Sequence, residues 1–352
     1  MTPPLSAAPA APALTPKDFQ SDQVVRWCPG CGDYAILNAV QHAMAKLNVP
    51  RERIVFVSGI GCAARFPYYM NTYGFHTIHG RAPGFASGLK VANPDLQVWI
   101  VSGDGDALSI GGNHLLHVLR RNVDVKILLF NNRIYGLTKG QYSPTSEQGK
   151  VTKSTPQGAI DRPLSPCAVA IAAEATFIAR SVAVQAPHLQ GVLAAAAAHR
   201  GAAFVEILQN CNVFNDGAFD AVTARDVRTD QQLVLEHGKP MRFGAGGSKG
   251  IRLNGTTPEI VTVGQGGVTE ADLWMHDAHE PTGAHAYILS RMGHPQFPTP
   301  MGVLRQTHCP TYEAQLEAQV ASAKATQKAD LYKLVAGGTT WEVDAQGHIR
   351  EN

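Results

Sequence analysis

Apolar residues along the first two thirds of the chain recur at two spacings, which predict helices and strands in alternation. Apolar positions at helical spacing predict a helix over residues 33–49, with Asp33 as its N-cap. Short β-branched runs predict strands instead. The predicted strands are residues 53–62, 96–106, 124–132, 177–184 and 202–211, and the other predicted helices are 82–92, 107–122, 165–175 and 187–200. This alternation favours an α/β fold with a mostly parallel sheet covered by helices on both faces.

The composition of the chain changes after Cys211. Residues 212–311 are rich in Gly, Asp, Thr and Pro, and residues 311–335 have the pattern of a surface helix. The sequence therefore predicts a disordered Pro/Ala tail, a main domain, and a C-terminal extension that lies over that domain or over a partner. The boundaries of these three parts are 1–18, 19–220 and 221–352.

Length, charge and cysteine content narrow the class of protein. A chain of 352 residues, 44% of them hydrophobic and 16% charged, is large enough for one sizeable core. No apolar run reaches the ~18 residues of a membrane span, and prolines interrupt any N-terminal signal-peptide core, so we expect a cytoplasmic protein. A formal charge of +2 gives no support to nucleic-acid or membrane binding. The 6 cysteines are too few and too scattered for a secreted disulfide framework.

Two polar motifs follow neighbouring predicted strands. A GDG tripeptide ends one strand, and an NN pair ends the next. Gly103 and Gly105 allow the backbone to turn and approach a diphosphate, which would also meet the free N–H groups of the following helix. Asp104 offers an anionic oxygen and Asn132 a neutral one, a combination that suits Mg²⁺ shared with a diphosphate. Because the carboxyl ends of parallel strands meet at one edge of a sheet, the two motifs predict a ligand site there.

Four cysteines are predicted to meet at the same edge. Cys28 and Cys31 flank a Pro-Gly turn before the first predicted helix, whereas Cys62 and Cys211 each follow a predicted strand. A CxxC pair by itself is compatible with a reactive disulfide, a zinc site or an iron–sulfur cluster. Since all four thiols together can ligate one [4Fe–4S] cluster, that is the interpretation we adopt.

Zinc and a redox dithiol are the alternatives to the iron–sulfur interpretation. A structural zinc ribbon usually has a second close cysteine pair, and the sequence has none. A thioredoxin-like dithiol would need the CxxC pair alone and would leave the other two thiols unexplained. The remaining cysteines, Cys167 and Cys309, fall outside the pattern and are interpreted as packing or incidental residues.

The combination of these motifs resembles a known family of enzymes. The GDG and NN pair is similar to the thiamine diphosphate motif. Five segments in the same order resemble the β subunit of two-subunit 2-oxoacid:ferredoxin oxidoreductases, and the 2-oxoglutarate type most of all. Their sequences are WCPGCGDYAIL, GIGCAARFPYY, HTIHGRAPGFASGLK, VSGDGDALSIGGNH and FNNRIYGLTKGQYSPTS. The similarity extends in order from about residue 20 to residue 220.

The resemblance implies a role for many individual residues. It adds the main-chain carbonyl of Ile134 to Asp104 and Asn132 as a ligand of Mg²⁺. It also implies that thiamine diphosphate is contacted by Ile60, Gly61, Cys62, Ala63, His79, Gly80, Arg81, Ala82, Gly105, Asp106, Gly136 and Leu137. The imidazole of His79, beside Gly80, is suited to donate to a phosphate oxygen without competing for the metal.

The resemblance also implies a reaction and its partners. The expected activity is CoA-dependent oxidative decarboxylation of 2-oxoglutarate to succinyl-CoA and CO₂, with electrons passing through the cluster to ferredoxin, and with the reverse reductive carboxylation as the same chemistry. An α subunit, in an α2β2 heterotetramer, is expected to supply the glutamate that activates thiamine, because the chain shows no second α/β domain upstream. The alternative is the same chemistry on pyruvate or on a broader range of 2-oxoacids.

Lys139 is the candidate for substrate selection. It lies in the loop after Asn132, between Gly136 and Gly140, where a 2-oxoacid would have to bind. Its ammonium group is suited to the distal carboxylate of 2-oxoglutarate, which pyruvate lacks.

Two other classes of protein remain alternatives. A non-redox thiamine enzyme would contain no iron, and a zinc-stabilised interaction subunit would bind no thiamine.

Overall fold

One eight-stranded sheet organises the structure, a computed structural model that describes residues 14–326, 330–338 and 340–351. Its strands are β1 (Ile54–Ser58), β2 (Tyr73–His76), β3 (Gln97–Gly103), β4 (Val125–Asn131), β5 (Phe177–Val182), β6 (Ala203–Leu208), β7 (Gln232–Val234) and β11 (Thr299–Gln306). The strand order is β2-β1-β3-β4-β6-β5-β11-β7. Neighbouring strands are parallel except for the pair β5 and β11, which is antiparallel. The predicted mostly parallel sheet is therefore confirmed.

Helices cover both faces of this sheet. The helices α1 and α5 pack against each other on one face, and α2, α3, α4 and α8 cover the other. Their bounds, with those of two short helices α6 and α7, are α1 (Asp33–Leu47), α2 (Ala82–Ala92), α3 (Gly112–Arg120), α4 (Pro166–Ala172), α5 (Ala186–Ala198), α6 (Asp220–Thr223), α7 (Arg228–Gln231) and α8 (Ala284–Arg291). Each helix predicted from apolar spacing before residue 211 is present. The bounds of α2 are as predicted, and the other helices end two or three residues earlier than predicted.

The central strands are buried on both sides, which explains their nearly continuous apolar sequences. Along β3, Val98 and Ile100 belong to the core under α2 and α3, while Trp99 and Val101 belong to the core under α1 and α5. Side chains of successive strand residues point to opposite faces, so a strand between two helical layers needs apolar residues at every position. The two cores hold the carboxyl ends of β1, β3, β4 and β6 at one edge.

Two local predictions about helix starts differ from the structure. The N-cap of α1 is Gly32, and Asp33 is the first helical residue, with its side chain buried. The helix predicted over residues 107–122 is divided, because Asp106–Ile110 forms a π-helical turn and α3 begins only at Gly112. Glycines at 111 and 112 have weak helix propensity, which allows the change in winding between the two segments.

The chain after residue 220 contributes to the main sheet. Both β7 and β11 are strands of that sheet, and β8 (Arg242–Phe243), β9 (Lys249–Asn254) and β10 (Thr257–Thr262) form a small antiparallel sheet. The first compact unit of the chain ends at Thr311, so the boundary predicted at residue 220 falls inside it. That the extension covers the cluster or contacts a partner stays a prediction.

The structure differs from the prediction at both ends of the chain, where a disordered N-terminal tail and a single C-terminal helix were expected. Residues 1–13 of the predicted tail lie outside the described residues, but Pro16–Phe19 forms a 3-10 helix whose Phe19 is fully buried beside α1. A second unit begins at Tyr312 and contains α9 (Tyr312–Thr326), α10 (Leu331–Val335), β12 (Trp341–Val343) and β13 (Ile349–Glu351). Within the described ranges, we find no helix with both the length and the apolar content needed to span a bilayer.

Candidate active site

Asp104 lies buried at the carboxyl end of β3, at the centre of the predicted diphosphate site. Its Oδ2 atom accepts hydrogen bonds from the Ser143 hydroxyl at 2.5 Å and from the Thr145 hydroxyl at 2.6 Å. The backbone N–H of Asn132 also donates to this carboxylate. Burial raises the pKa of Asp104, and these hydrogen bonds oppose that effect. The carboxylate is therefore held in one orientation before any metal binds.

The loop after β4 presents further oxygen atoms to the same point. The side-chain Oδ1 of Asn132 accepts from the backbone N–H of Ile134 at 3.1 Å, and its carbonyl accepts from the Asn215 side chain at 2.9 Å. Between them, Arg133 has a left-handed backbone, with φ of 56°, which turns the loop back over the end of the strand. Carboxylate, amide and carbonyl oxygens are the ligands that Mg²⁺ takes in proteins, so Asp104, Asn132 and Ile134 fit this ion.

Asp106 connects the two remaining segments of the predicted thiamine site. Its carboxylate accepts hydrogen bonds from four donors, which are Ile60 N at 3.1 Å, Gly80 N at 2.7 Å, His79 Nδ1 at 2.5 Å and Ser102 Oγ at 2.5 Å. The side chain of Asp106 is buried. It therefore fixes the loop that contains residues 60–63 and the turn that contains residues 79–82 against the GDG tripeptide.

The contact with Asp106 also orients the imidazole of His79. Because Nδ1 bonds to the carboxylate, Nε2 is the ring nitrogen that remains for a ligand, and the side chain is 38% exposed. Arg81 donates to the His79 carbonyl at 3.0 Å and caps the start of α2. The predicted pairing of His79 with a phosphate oxygen thus requires the Nε2 side of the ring.

Glycine is required at Gly105 because of the neighbouring tyrosine. A Cβ atom on Gly105 would lie 2.3 Å from the ring of Tyr135, whose hydroxyl donates to the Gly105 carbonyl at 2.9 Å. No side chain fits at that distance. The backbone of the GDG tripeptide therefore packs directly against the ring of Tyr135.

The four predicted cysteines line one cavity of about 200 Å³ at this edge of the sheet. They come from the turn before α1, from the end of β1 and from the end of β6, and they are Cys28, Cys31, Cys62 and Cys211. A Cβ atom on Gly136 would lie 3.4 Å from the Cys62 sulfur and 3.7 Å from the Cys211 sulfur. The loop that carries Asn132 therefore reaches both sulfurs, and it joins the cavity to the oxygens that are predicted to bind Mg²⁺.

Burial and mutual repulsion disfavour the thiolate forms of these cysteines. Burial is the largest cause that raises the pKa of Cys62 to about 11, and the nearby Cys211 and Cys28 add to it. Burial likewise raises the pKa of Cys31, whose sulfur accepts a hydrogen bond from the Gln209 side chain at 3.2 Å. Asp33, in the same cavity, has its pKa raised to about 7 by burial. Iron would stabilise the thiolates that burial disfavours.

The spacing of the thiols is better suited to a cluster than to a single ion. Among the described residues, no three His, Cys, Asp or Glu side chains are close enough to hold one metal ion. A zinc ion would need sulfurs at about 2.3 Å from one centre. Four thiols line the cavity of about 200 Å³, which agrees with the number of ligands that a [4Fe–4S] cluster takes. The iron–sulfur interpretation stays a prediction.

Of the other candidate residues, the structure places Lys139 at the cysteine cavity and places Cys167 and Cys309 outside it. Lys139 lines the cysteine cavity, is exposed, and has a left-handed backbone with φ of 75°. Cys309 is exposed away from the four cysteines, and Cys167 is buried and donates to Glu206 at 3.2 Å. Neither of these two cysteines lines the cavity.

A buried polar chain behind Asp104 was missed at the sequence level. The Thr145 hydroxyl bridges Asp104 and the Asn131 side chain, and Asn131 donates to Glu206 at 2.7 Å. Glu206 is paired with Arg180 at 2.7 Å, and both side chains are buried. The only signal in the sequence was a charged residue inside each of two apolar strands, which periodicity alone does not connect.

Comparisons with known proteins agree with this geometry. Residues 59–207 match the family described as thiamine pyrophosphate enzyme, C-terminal TPP binding domain. The chain is 52% identical over 332 residues to the 2-oxoglutarate oxidoreductase subunit KorB of Mycobacterium tuberculosis, and the match covers 93% of this chain and 88% of that relative. It is 48% identical over 190 residues to subunit beta of 2-oxoacid:ferredoxin oxidoreductase 1 of Aeropyrum pernix, covering 54% of this chain and 60% of the relative.

A solved structure is similar over almost the same length. The 2-oxoglutarate:ferredoxin oxidoreductase from Magnetococcus marinus, solved with 2-oxoglutarate, coenzyme A and succinyl-CoA bound, superposes with a TM-score of 0.74 and 33% identity, covering 92% of this chain and 95% of that one. The expected fold and family are confirmed by these matches. The chain belongs to the β subunits of thiamine diphosphate-dependent 2-oxoacid:ferredoxin oxidoreductases, with the 2-oxoglutarate oxidoreductase subunit KorB among its relatives.

Proposed function

We propose that the chain is the cofactor-binding subunit of a CoA-dependent 2-oxoglutarate:ferredoxin oxidoreductase. In the forward direction, 2-oxoglutarate and CoA would give succinyl-CoA and CO₂, and the two electrons released would pass one at a time to ferredoxin. Reductive carboxylation by reduced ferredoxin is the reverse of the same reaction. The observation that carries the proposal is that the loop from Asn132 to Gly136, which contains two of the residues assigned to Mg²⁺, also lines the cavity of the four thiols.

We assign thiamine diphosphate, Mg²⁺ and one [4Fe–4S] cluster to this edge of the sheet. Asp104, Asn132 and the Ile134 carbonyl would hold Mg²⁺, and the four cysteines would hold the cluster. When bound, thiamine diphosphate supplies the electron sink for decarboxylation, and the cluster accepts the electrons. The chain's own contribution is orientation: Asp106 fixes the segments at residues 60–63 and 79–82 on which the cofactor would rest.

An α subunit is the partner that the proposal requires. The edge strand β2, next to the turn at residues 79–82, has an exposed surface with large apolar side chains. The set consists of Tyr68, Tyr73, Phe75, Ile78, Phe85 and Ile110, each at least 48% exposed. Apolar patches of this kind beside a ligand site are typical of subunit interfaces. We propose that this surface receives the α subunit, which would supply the glutamate for thiamine and complete an α2β2 enzyme.

The second unit of the chain is a further candidate contact for a partner. Its helix α10 and hairpin carry large side chains that are more than half exposed, among them Leu331, Tyr332 and Trp341. This supports the predicted role of the C-terminal extension in subunit contact.

We further propose a cytoplasmic location. All six cysteines are free thiols, and oxygen-sensitive iron–sulfur chemistry suits a reducing compartment.

We assign selection of the 2-oxoacid to Lys139. Its left-handed φ of 75° is unfavourable for a lysine, and such strained residues occur where surrounding structure holds a functional position. The ammonium group lies on the loop that lines the cysteine cavity and is exposed for contact with a substrate carboxylate. Pairing with the distal carboxylate favours 2-oxoglutarate, and the alternative is activity on pyruvate or on several 2-oxoacids.

The proposal is tested by purifying the chain anaerobically, alone and with its α subunit. We expect about four iron atoms, a similar amount of sulfide and one thiamine diphosphate per β chain in the complex. Ferredoxin reduction should require 2-oxoglutarate, CoA and both subunits. Zinc in place of iron, or full turnover by the isolated chain, would contradict the assignment.

A further inference from the structure

A second cavity lies at the opposite edge of the main sheet. It has a volume of about 740 Å³ and is lined by segments that precede β4, β5 and β6 and follow β11, including Asn122, Thr176, His199 and Thr307. These positions are at the amino ends of the parallel strands. With 7 residues in β4, roughly 20 Å of strand separates this cavity from the magnesium-binding oxygens. The cavity is thus distinct from the thiamine and cysteine site.

Most of the ionisable side chains that line this cavity are basic. Three arginines and three histidines contribute, against one glutamate, Glu174, and they are Arg120, Arg200, Arg305, His199, His279 and His308. Within the part of the chain that the structure describes, none of the three guanidinium groups forms an ion pair with a carboxylate. Burial lowers the pKa of His199 to about 4, so this imidazole adds no positive charge at neutral pH. With three arginines against Glu174, the lining of the cavity has a net positive charge.

Arg305 is the residue that most requires a counter-ion. It is only 7% exposed, and its Nη atoms donate to two main-chain carbonyls, of Glu280 at 3.4 Å and of Pro281 at 3.2 Å. Its Nε is buried and has no hydrogen-bond partner among the described residues. Carbonyl groups carry no formal charge, and a buried cation without an anion is costly. The guanidinium also packs against Gly283, where a Cβ would lie 2.6 Å from Nη1, so the side chain is confined.

We propose that this cavity binds the phosphate groups of a nucleotide-sized ligand. Guanidinium groups match phosphate oxygens in pairs, and three of them around one space suit a diphosphate or a longer polyanion. The volume of about 740 Å³ exceeds what a single phosphate needs and lies within the usual range of small-molecule sites, roughly 300–1,000 Å³. Free adenine nucleotides and the adenosine phosphate end of CoA share this chemistry. The site does not depend on the catalytic assignment, because the sheet separates it from the thiamine site.

The test is calorimetric titration of the αβ complex, saturated with thiamine diphosphate and Mg²⁺, with inorganic pyrophosphate. We expect one additional binding site per β chain, with affinity that falls as salt rises. Arg305→Gln should weaken binding at least tenfold. The double variant Arg120→Gln/Arg200→Gln should weaken it similarly, and its two exposed side chains make loss of folding a poor explanation. Arg121→Gln, an exposed neighbour outside the cavity, is the matched control and should bind as the unmodified protein does.

Competition then identifies the source of the phosphate. Displacement of pyrophosphate by ADP supports a free nucleotide, and displacement by CoA but not by ADP supports the phosphorylated end of CoA. The proposal is overturned if pyrophosphate at millimolar concentration does not bind, if neither ADP nor CoA displaces it, or if all arginine variants bind equally. The melting temperature of each variant, measured without ligand, shows that the arginine effects are not losses of fold.

Discussion

The diphosphate site and the cysteine cavity lie side by side at one edge of the sheet, yet they are stabilised in different ways. In the diphosphate site the two acidic side chains already have hydrogen bonds from the protein: Asp106 accepts four, and Asp104 accepts two from hydroxyl groups. In the cysteine cavity, burial raises the pKa of Cys31 and Cys62, and the neighbouring thiols add to this effect. Hydrogen bonds within the chain hold the first site in place, whereas we propose that the second is stabilised by its metal.

The two sites should lose their ligands in different ways when a single residue is replaced. A pre-formed site loses affinity in steps, because each hydrogen bond contributes about 0.5–3 kcal/mol and the rest remain. A cluster site that depends on its metal loses its content when one ligand is removed, since metal affinity and local folding are coupled. The following experiments are ordered from the largest expected effect to the smallest.

Substitution of a single cluster ligand should have the largest effect. In Cys31→Ser or Cys211→Ser, we expect most of the bound iron to be lost and ferredoxin reduction to be abolished, while thiamine diphosphate still binds. Iron and sulfide analysis, together with cofactor titration, measures both quantities. Cys309→Ser, an exposed cysteine outside the cavity, is the matched control and should keep its iron. Full iron content in Cys211→Ser would remove that residue from the ligand set.

Removal of the metal-binding carboxylate should have the next largest effect. Asp104→Ala leaves the charge of Mg²⁺ less compensated and two buried hydroxyls, of Ser143 and Thr145, without their acceptor. We expect thiamine diphosphate affinity to fall by about 2–5 kcal/mol, the usual loss when one member of a buried charge pair is removed. Asp95→Ala, on an exposed loop, should not change it. Unchanged affinity in Asp104→Ala at equal Mg²⁺ would refute the assignment of this carboxylate.

Asp106 should matter less for affinity than for turnover. Asp106→Asn keeps the size of the side chain but removes its charge and replaces Oδ2, the acceptor of the Ser102 hydroxyl, with a donor. The bonds from Gly80 N and His79 to the other oxygen then go to a neutral amide and are weaker. We expect kcat to fall roughly 10- to 100-fold, as for other residues that orient a ligand-binding group. Thiamine affinity should fall less than in Asp104→Ala, and iron content should not change. A fall in affinity as large as that of Asp104→Ala would instead make Asp106 a direct ligand.

Lys139 should show the smallest and most selective effect. Lys139→Met keeps the length of the side chain and removes its charge, so KM for 2-oxoglutarate should rise roughly tenfold, the value of one charge-assisted hydrogen bond of about 1.5 kcal/mol. KM for pyruvate should change little, and Lys139→Arg should restore much of the selectivity. An equal loss for both acids would show that the lysine contacts their common carboxylate.

The sequence predicted well which residues lie at the carboxyl edge of the sheet, because these residues are close in sequence to the ends of strands. Asp104, Asn132 and Cys62 each lie within four residues of a strand whose apolar pattern was clear, and parallel strands bring such positions together. Asp106 was assigned to the cofactor, but four donors hold its carboxylate. Three of these donors belong to segments that are 26 to 46 residues away, of which Ile60 is the farthest. Spacing within a motif carries no information about such partners.

The parts that the sequence did not predict depend on long-range packing. The hydroxyls of Ser143 and Thr145 lie 39 and 41 residues after Asp104, in a loop without regular structure. The strand β11 pairs antiparallel with β5 from more than a hundred residues away, so the boundary predicted from composition at residue 220 did not follow the packing. Amino-acid composition reflects only the local conformational preference of a segment. Whether a distant strand joins the sheet depends on which strand at the edge still has unpaired backbone groups.

The most direct test of the account is electron paramagnetic resonance of the anaerobic αβ complex after addition of 2-oxoglutarate. If the diphosphate site and the cysteine cavity act as one site, the signal of a reduced [4Fe–4S] cluster appears in the unmodified complex. It is absent both in Asp104→Ala, which still contains iron, and in Cys211→Ser. A cluster signal of full intensity in Asp104→Ala, or none in the unmodified complex that contains iron and thiamine diphosphate, would contradict the account.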